Sequence, residues 1–152
     1  MAVEDNIKLV RRLYDEGINR QDAAAAAAFY AADAKNHTHT VGREGMQRVF
    51  EALFSVFPDF HYRIEETTAE SDRVVCKVTM TGTHCGQPSL PEAFSGMLRG
   101  VEPTGKRVQV LQFHSFRIRD GQITEHAAVR DDLGMVLQLG LLKRPAGARD
   151  ES

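Results

Sequence analysis

Near the C-terminus the stretch "ITEHAAVRDDLGMVLQLG" sets Asp131 and Asp132 side by side, where an alternating segment gives way to helical spacing. An aspartate at such a junction has two possible uses. It can cap the new helix by accepting hydrogen bonds from the first unpaired N–H groups. Held on an apolar wall, it can instead exchange protons, because desolvation disfavours its charged form and raises its pKa towards the range of general acid–base groups. Counting along the preceding hairpin separates the two. Asp120-Gly121 is the dipeptide favoured by a two-residue type I′ turn, so Arg119 should pair with Gln122, His114 with Ala127, Gln112 with Val129 and Val110 with Asp131. Alternation then places Val108, Val110, Gln112, His114, Phe116 and Ile118 on one face, joined by Ile123, Glu125, Ala127, Val129 and Asp131. This mostly apolar face is expected to look inward. Asp131 is thereby the expected interior carboxylate, and Asp132 the expected cap. The residues alone leave Asp131 a structural alternative, as an arginine partner or as the cap itself. A single bulge would exchange the two aspartates.

The rest of the chain must build the wall on which these residues sit. Ile7, Val10, Tyr14 and Ile18 recur at helical spacing, "NRQDAAAAAAFYAAD" predicts a second helix capped by Asp22, and Met46, Val49, Phe50, Leu53, Phe54 and Phe57 form the apolar stripe of a third, stopped by Pro58. "KNHTHTVG" has room for one strand. After Pro58 the period becomes twofold through "FHYRIEETTAE" and "DRVVCKVTMTGTH". The Gly- and Pro-rich "CGQPSLPEAFSGMLRGVEPTG" reads as a long loop, a candidate entrance lid, before the final hairpin and a short closing helix. Helices first and a mostly antiparallel sheet after them indicate an α+β fold, with one domain over residues 1–142 and a disordered tail over 143–152.

Composition narrows the function. A chain of 152 residues with 42% hydrophobic and 26% charged residues has an ordinary globular balance. A net charge of -2 without a basic block argues against nucleic acid, and no apolar run is long enough for a membrane span, so a cytoplasmic protein is expected. Cys76 and Cys85 match neither a zinc knuckle nor a redox pair. A zinc site could be drawn from His37, His39, His84 and Cys85, but no acidic ligand has suitable spacing, and polar residues at a pocket mouth explain them more simply. No metal and no cofactor are expected. His61 and His126 read as surface or interface side chains.

Taken in order, "GREG" at 42–45, "FPDF" after the third helix, "DRV" at 72–74, "GTHCG" at 82–86, "PTG" at 103–105, "FRIRDGQITEH" and the closing "QLG" make the chain resemble the SnoaL-like polyketide cyclases, whose fold is that of nuclear transport factor 2. The resemblance spans about Leu9 to Leu142. It implies a cone-shaped α+β barrel with a deep pocket, paired as a homodimer through the open sheet face, and an aspartate late in the last long strand acting as general acid/base in an aldol ring closure. Asp131 takes that place, with His114 as its partner. Gln112, Asn36 and His37 would orient substrate oxygens, and His84 stands with them as a binding residue at the mouth. Relatives commonly carry a large aromatic residue after the "EH" pair, where this chain has Ala127. The expectation is thus a cofactor-independent cyclase or lyase acting on a polyketide-like or other enolisable carbonyl compound. The alternatives are a binding module for an apolar molecule or lipid, or another acid–base reaction such as isomerisation or epoxide hydrolysis.

Overall fold

The computed structural model describes residues 2–143 and 145–147. Met1, Arg144 and residues 148–152, which include most of the expected tail, lie outside the described residues. Helix α1 (Val3–Arg12) runs into a π turn (Leu13–Gly17) and a short 3-10 turn (Ile18–Arg20), then α2 (Ala23–Ala27), strand β1 (Tyr30–Asn36), β2 (His39–Thr40) and α3 (Gly42–Val56). Four longer strands follow: β3 (His61–Glu70), β4 (Arg73–Thr83), β5 (Arg107–Arg119) and β6 (Gln122–Arg130). Helix α4 (Asp132–Gln138) closes the fold. The strands form one curved six-stranded sheet in the order β2-β1-β6-β5-β4-β3, antiparallel except where β1 runs parallel to β6. Helices and strands segregate as expected for α+β. The sheet is mixed and stays open, so it does not close into the expected barrel.

Hydrophobic patterning explains the layers. On β5 every second residue from Val108 to Ile118 is buried, and on β4 Val74, Cys76, Val78 and Met80 join them. Against this concave face lies the stripe of α3, with Met46, Phe50 and Val56 buried. Leu13 and Tyr14 are fully buried from the π turn. Gly17 ends that turn in close contact with α2, where a Cβ on Gly17 would stand 2.6 Å from Ala26 Cα.

The alanine run departs from expectation. Asp22 caps α2, its Oδ1 accepting the Ala25 N–H at 2.9 Å, but the helix is only five residues long. From Tyr30 the chain is strand, because Tyr30 is buried and pairs with Ile123, whose N–H donates to the Phe29 carbonyl at 2.9 Å. Long-range pairing overrides alanine's helix propensity. "KNHTHTVG" supplies the end of β1 and a two-residue return, β2, rather than one strand. Among the described residues no helix is long and apolar enough to cross a membrane.

Candidate active site

The turn at Asp120-Gly121 has the expected geometry, both residues having positive φ (50° and 71°). The ladder then slips. Ile118 pairs with Ile123 but Arg117 pairs with Glu125, leaving Thr124 as the extra residue of a β-bulge. From there β6 is displaced by one residue, so His114 faces Ala128 and Gln112 faces Arg130. His126, Ala128 and Arg130 turn inward, while Glu125, Ala127 and Val129 turn away.

This corrects the two aspartates. Asp131 is exposed and caps α4, its Oδ1 accepting the Gly134 N–H at 2.8 Å. Asp132 is half-buried at the mouth of the sheet, 3.3 Å from Arg130. The expected interior carboxylate and the expected cap have exchanged places. Asp131→Ala should therefore cost about 0.5–2 kcal/mol through the lost cap, read from urea denaturation. Any ligand binding in the cavity should be unchanged.

Between α3 and the sheet lies a cavity of about 70 Å³. Its wall is mainly aromatic and apolar, including Tyr14, Tyr30, Phe50, Phe60, Tyr62, Phe94 and Phe116, with Gln112, His114, His126, Asn36, His37 and Arg130 as its other polar members. It opens into a vestibule of about 810 Å³, and both spaces are lined by Asn36, His37, Phe94, Ala128 and Arg130. Ala128, small and opposite His114, leaves this passage clear. Arg130 closes one side, donating to Ser95 Oγ at 3.2 Å as well as pairing with Asp132.

The cavity's polar groups form one chain. The Tyr62 hydroxyl donates to Gln112 Oε1 at 3.0 Å, and His114 Nε2 approaches the same oxygen at 2.8 Å. His114 Nδ1 meets His126 Nε2 at 2.9 Å, and His126 Nδ1 meets Asn36 Oδ1 at 2.9 Å. Between the two amide oxygens there are three hydrogen bonds through four imidazole nitrogens. They hold three protons, one more than two neutral imidazoles carry. The arrangement is that of a singly protonated pair, and turning the Asn36 amide to present its NH2 gives the neutral one.

The surroundings favour the neutral form at rest. Burial pushes the His114 pKa well below the usual range, and the positive charges of His126, Arg130 and His37 push the same way. His126 is lowered to about 3, first by burial and then by His37 and Arg130. His114 stacks on His126 and Phe116, with ring centroids 5.1 and 6.2 Å apart.

The structure thus brings His114, Gln112 and Asn36 together as expected, with His37 beside them. His37 is exposed, its ring 6.2 Å from that of His126, and its backbone sits at φ 56° with its N–H donated to the His126 carbonyl at 2.6 Å. His84 is a correction: it is fully buried outside the cavity, against Phe57. Its Nδ1 accepts the Thr104 N–H at 3.1 Å and its backbone N–H donates to the Lys106 carbonyl at 2.9 Å, so it pins the end of the long loop. His126, Tyr62 and Arg130 went unrecognised in the sequence. One signal for the bulge was present. An unbroken ladder buries Glu125 among apolar neighbours, whereas a slip of one residue sets it opposite Arg117, with which it pairs at 3.4 Å. Among the described residues no three His, Cys, Asp or Glu side chains converge as a metal-binding group.

Helices packed over an open curved sheet agree with what comparison with known proteins finds. Residues 8–139 match the SnoaL-like polyketide cyclase family. The chain belongs to that family. Among solved structures, this SnoaL-like protein is similar to AclR from Streptomyces galilaeus, described as a candidate hydroxylase, at 26% identity and a TM-score of 0.77, over 93% of this chain and 100% of that one. It is also similar to a candidate SnoaL-like polyketide cyclase from Jannaschia sp. CCS1 (25%, TM-score 0.75, covering 92% and 94%). A third, IdmH from Streptomyces antibioticus, a candidate polyketide cyclase, matches at 26% with a TM-score of 0.70, covering 89% and 98%. Comparison with curated proteins gave no match.

Proposed function

We propose that this SnoaL-like protein is an acid–base catalyst acting on an enolisable, polyketide-like carbonyl compound, with the His114–His126 pair moving the proton. The observation that carries the reading is the chain Gln112–His114–His126–Asn36 inside an aromatic cavity. In the neutral pair Gln112 Oε1 accepts from His114 Nε2, His114 Nδ1 accepts from His126 Nε2, and the lone pair of His126 Nδ1 is held only by the mobile end of an amide. That nitrogen takes a proton α to the substrate carbonyl, and the C–H electron pair passes into an enolate. The Asn36 amide turns to offer its oxygen to the new N–H. The enolate carbon then adds to a second carbonyl, and the alkoxide formed recovers the proton from His126. The net change is ring closure, with no atoms or electrons gained or lost. The developing enolate charge is what raises the basicity of a pair that burial keeps neutral at rest.

The expected role of Asp131 passes in this reading to His126. The test is α-hydrogen exchange in heavy water, followed by proton NMR on a panel of methyl ketones and β-keto esters. Exchange well above the buffer rate for at least one compound supports the proposal. Binding without any exchange overturns it in favour of a ligand-holding protein. The observation behind that second reading is that, among the described residues, no carboxylate lines the inner cavity.

The same protein is proposed to pair through its sheet. Leu111, Phe113 and Val129 are 44%, 46% and 77% exposed on the outer face of β5 and β6, a cluster of large apolar side chains suited to a second copy. Light scattering at micromolar concentration should give a homodimer, and Phe113→Lys should shift it to monomer. A monomeric wild type would remove the proposal.

A further inference from the structure

Three inward residues of β6, His126, Ala128 and Arg130, line the inner cavity in succession, and Arg130 lines the vestibule as well. Among the described residues it is the one lysine or arginine on either lining. Its partners hold it loosely. Nη2 lies 3.2 Å from Ser95 Oγ and 3.3 Å from Asp132 Oδ2, and Nε lies 3.3 Å from Asp132 Oδ1. Charge-assisted hydrogen bonds normally close to about 2.7–2.9 Å. Nη1 has no hydrogen-bond partner among the described residues, and the side chain keeps 26% of its surface exposed, so a ligand in the passage can touch it.

The charges around this residue are unevenly placed. Asp132 lines the vestibule and not the inner cavity, and Glu92, the other carboxylate on the vestibule lining, is exposed. Arg130 therefore brings a positive charge to the cavity wall, while the negative charges stand on the vestibule side. Behind burial, the Arg130 charge is one of those that keep His114 and His126 from taking up a proton, so its field reaches the imidazoles. Such a wall disfavours a cation in the cavity and favours an anion. A guanidinium suits the second role, because it stays charged and offers its donors in a planar fork.

We propose that Arg130 binds the enolate oxygen of the ligand through Nη1, as the electrophilic partner of the His114–His126 pair. Proton abstraction leaves negative charge on that oxygen, and a cation already fixed on the cavity wall stabilises it without reorganisation. Asp132 and Ser95 are then the holders of the arginine: they fix its Nε–Nη2 edge and leave Nη1 for the ligand. Ala128, between His126 and Arg130 on the strand, is too small to separate the base from the cation. This use of Arg130 rests on the acid–base function proposed above. The free guanidinium edge rests on its own contacts.

The test compares dimedone, a cyclic β-diketone that is an enolate at neutral pH, with its uncharged methyl enol ether. Calorimetry on wild type should show the enolate bound more tightly. In Arg130→Met the affinity for the enolate should fall by about ten- to a hundredfold, the worth of a hydrogen bond to a charged group, while that for the ether should stay within about twofold. An arginine that only ties the long loop to α4 would lower both affinities alike. That result, equal binding of the two probes by wild type, or no binding of the enolate would each overturn the proposal. Should the variant not fold, nitrogen-15 NMR of the arginine side chains in wild type decides. Dimedone should shift Arg130 Nη1 and slow its proton exchange, the ether should do neither, and an unchanged signal with dimedone bound overturns the proposal. These are equilibrium measurements on a preformed anion, so their failure removes Arg130 and leaves α-exchange by the histidine pair standing. Enolate preference without any α-exchange would keep the anion site and remove its part in catalysis.

Discussion

His126→Phe is expected to lower α-proton exchange, or ring closure on any accepted substrate, by about two to four orders of magnitude, the usual worth of a positioned acid–base group. Phenylalanine keeps the ring contacts with His114 and Phe116, each with a centroid distance of 5.1 Å, but it cannot hold a proton. Folding should suffer moderately, by about 1–3 kcal/mol, because His114 Nδ1 is left buried without its partner. The control is Asp131→Asn, which alters an exposed helix cap and should leave exchange as it was. The opposite pattern, with Asp131→Asn silent in folding but destructive to exchange, would return the proton transfer to the carboxylate and count against the histidine pair.

The second large effect is on stability in mild acid. In the unfolded chain a histidine takes up its proton near pH 6.5, while in the folded protein His126 resists it down to about 3. Between these values the unfolded state binds more protons, so stability is fully present above about pH 6.5 and is lost as the pH falls towards the folded value. At pH 5 His126 alone accounts for at most about 2 kcal/mol of loss, an upper value because its ring keeps some access to solvent from the mouth. His114, lowered in the same direction, adds to it. Urea denaturation at pH 8, 6.5 and 5 should show a marked fall over the last interval, and His126→Phe should flatten it. Equal stability of wild type at pH 8 and pH 5 would mean that the pair is not buried neutral.

The fold was legible because its signals are periodic. The α3 stripe, the alternation of β4 and β5, the Asp120-Gly121 turn and the Asp22 cap all appear where spacing and turn chemistry put them. Two features were hidden, each for a physical reason. Alanines 31 and 32 carry a local preference for helix that pairing at Tyr30 overrules. Thr124 adds one residue to a ladder whose partner strand does not change, and side-chain period two converts that single residue into an exchange of faces. Of the site, Gln112, His114 and Asn36 lie before or away from the bulge and were legible. His126 and Arg130 lie beyond it, which is why they read as surface, and why Asp131 read as interior.

The protonation of the two imidazoles tests the central claim most directly. With histidine labelled by nitrogen-15, NMR at pH 7 should show one protonated and one bare ring nitrogen on each of His114 and His126, both staying neutral in mild acid. Adding acetylacetone, whose enol can pass its proton to the pair, should protonate both nitrogens of His126. Contradiction would be two imidazoles that titrate near pH 6.5 like free histidine and do not respond to the enol.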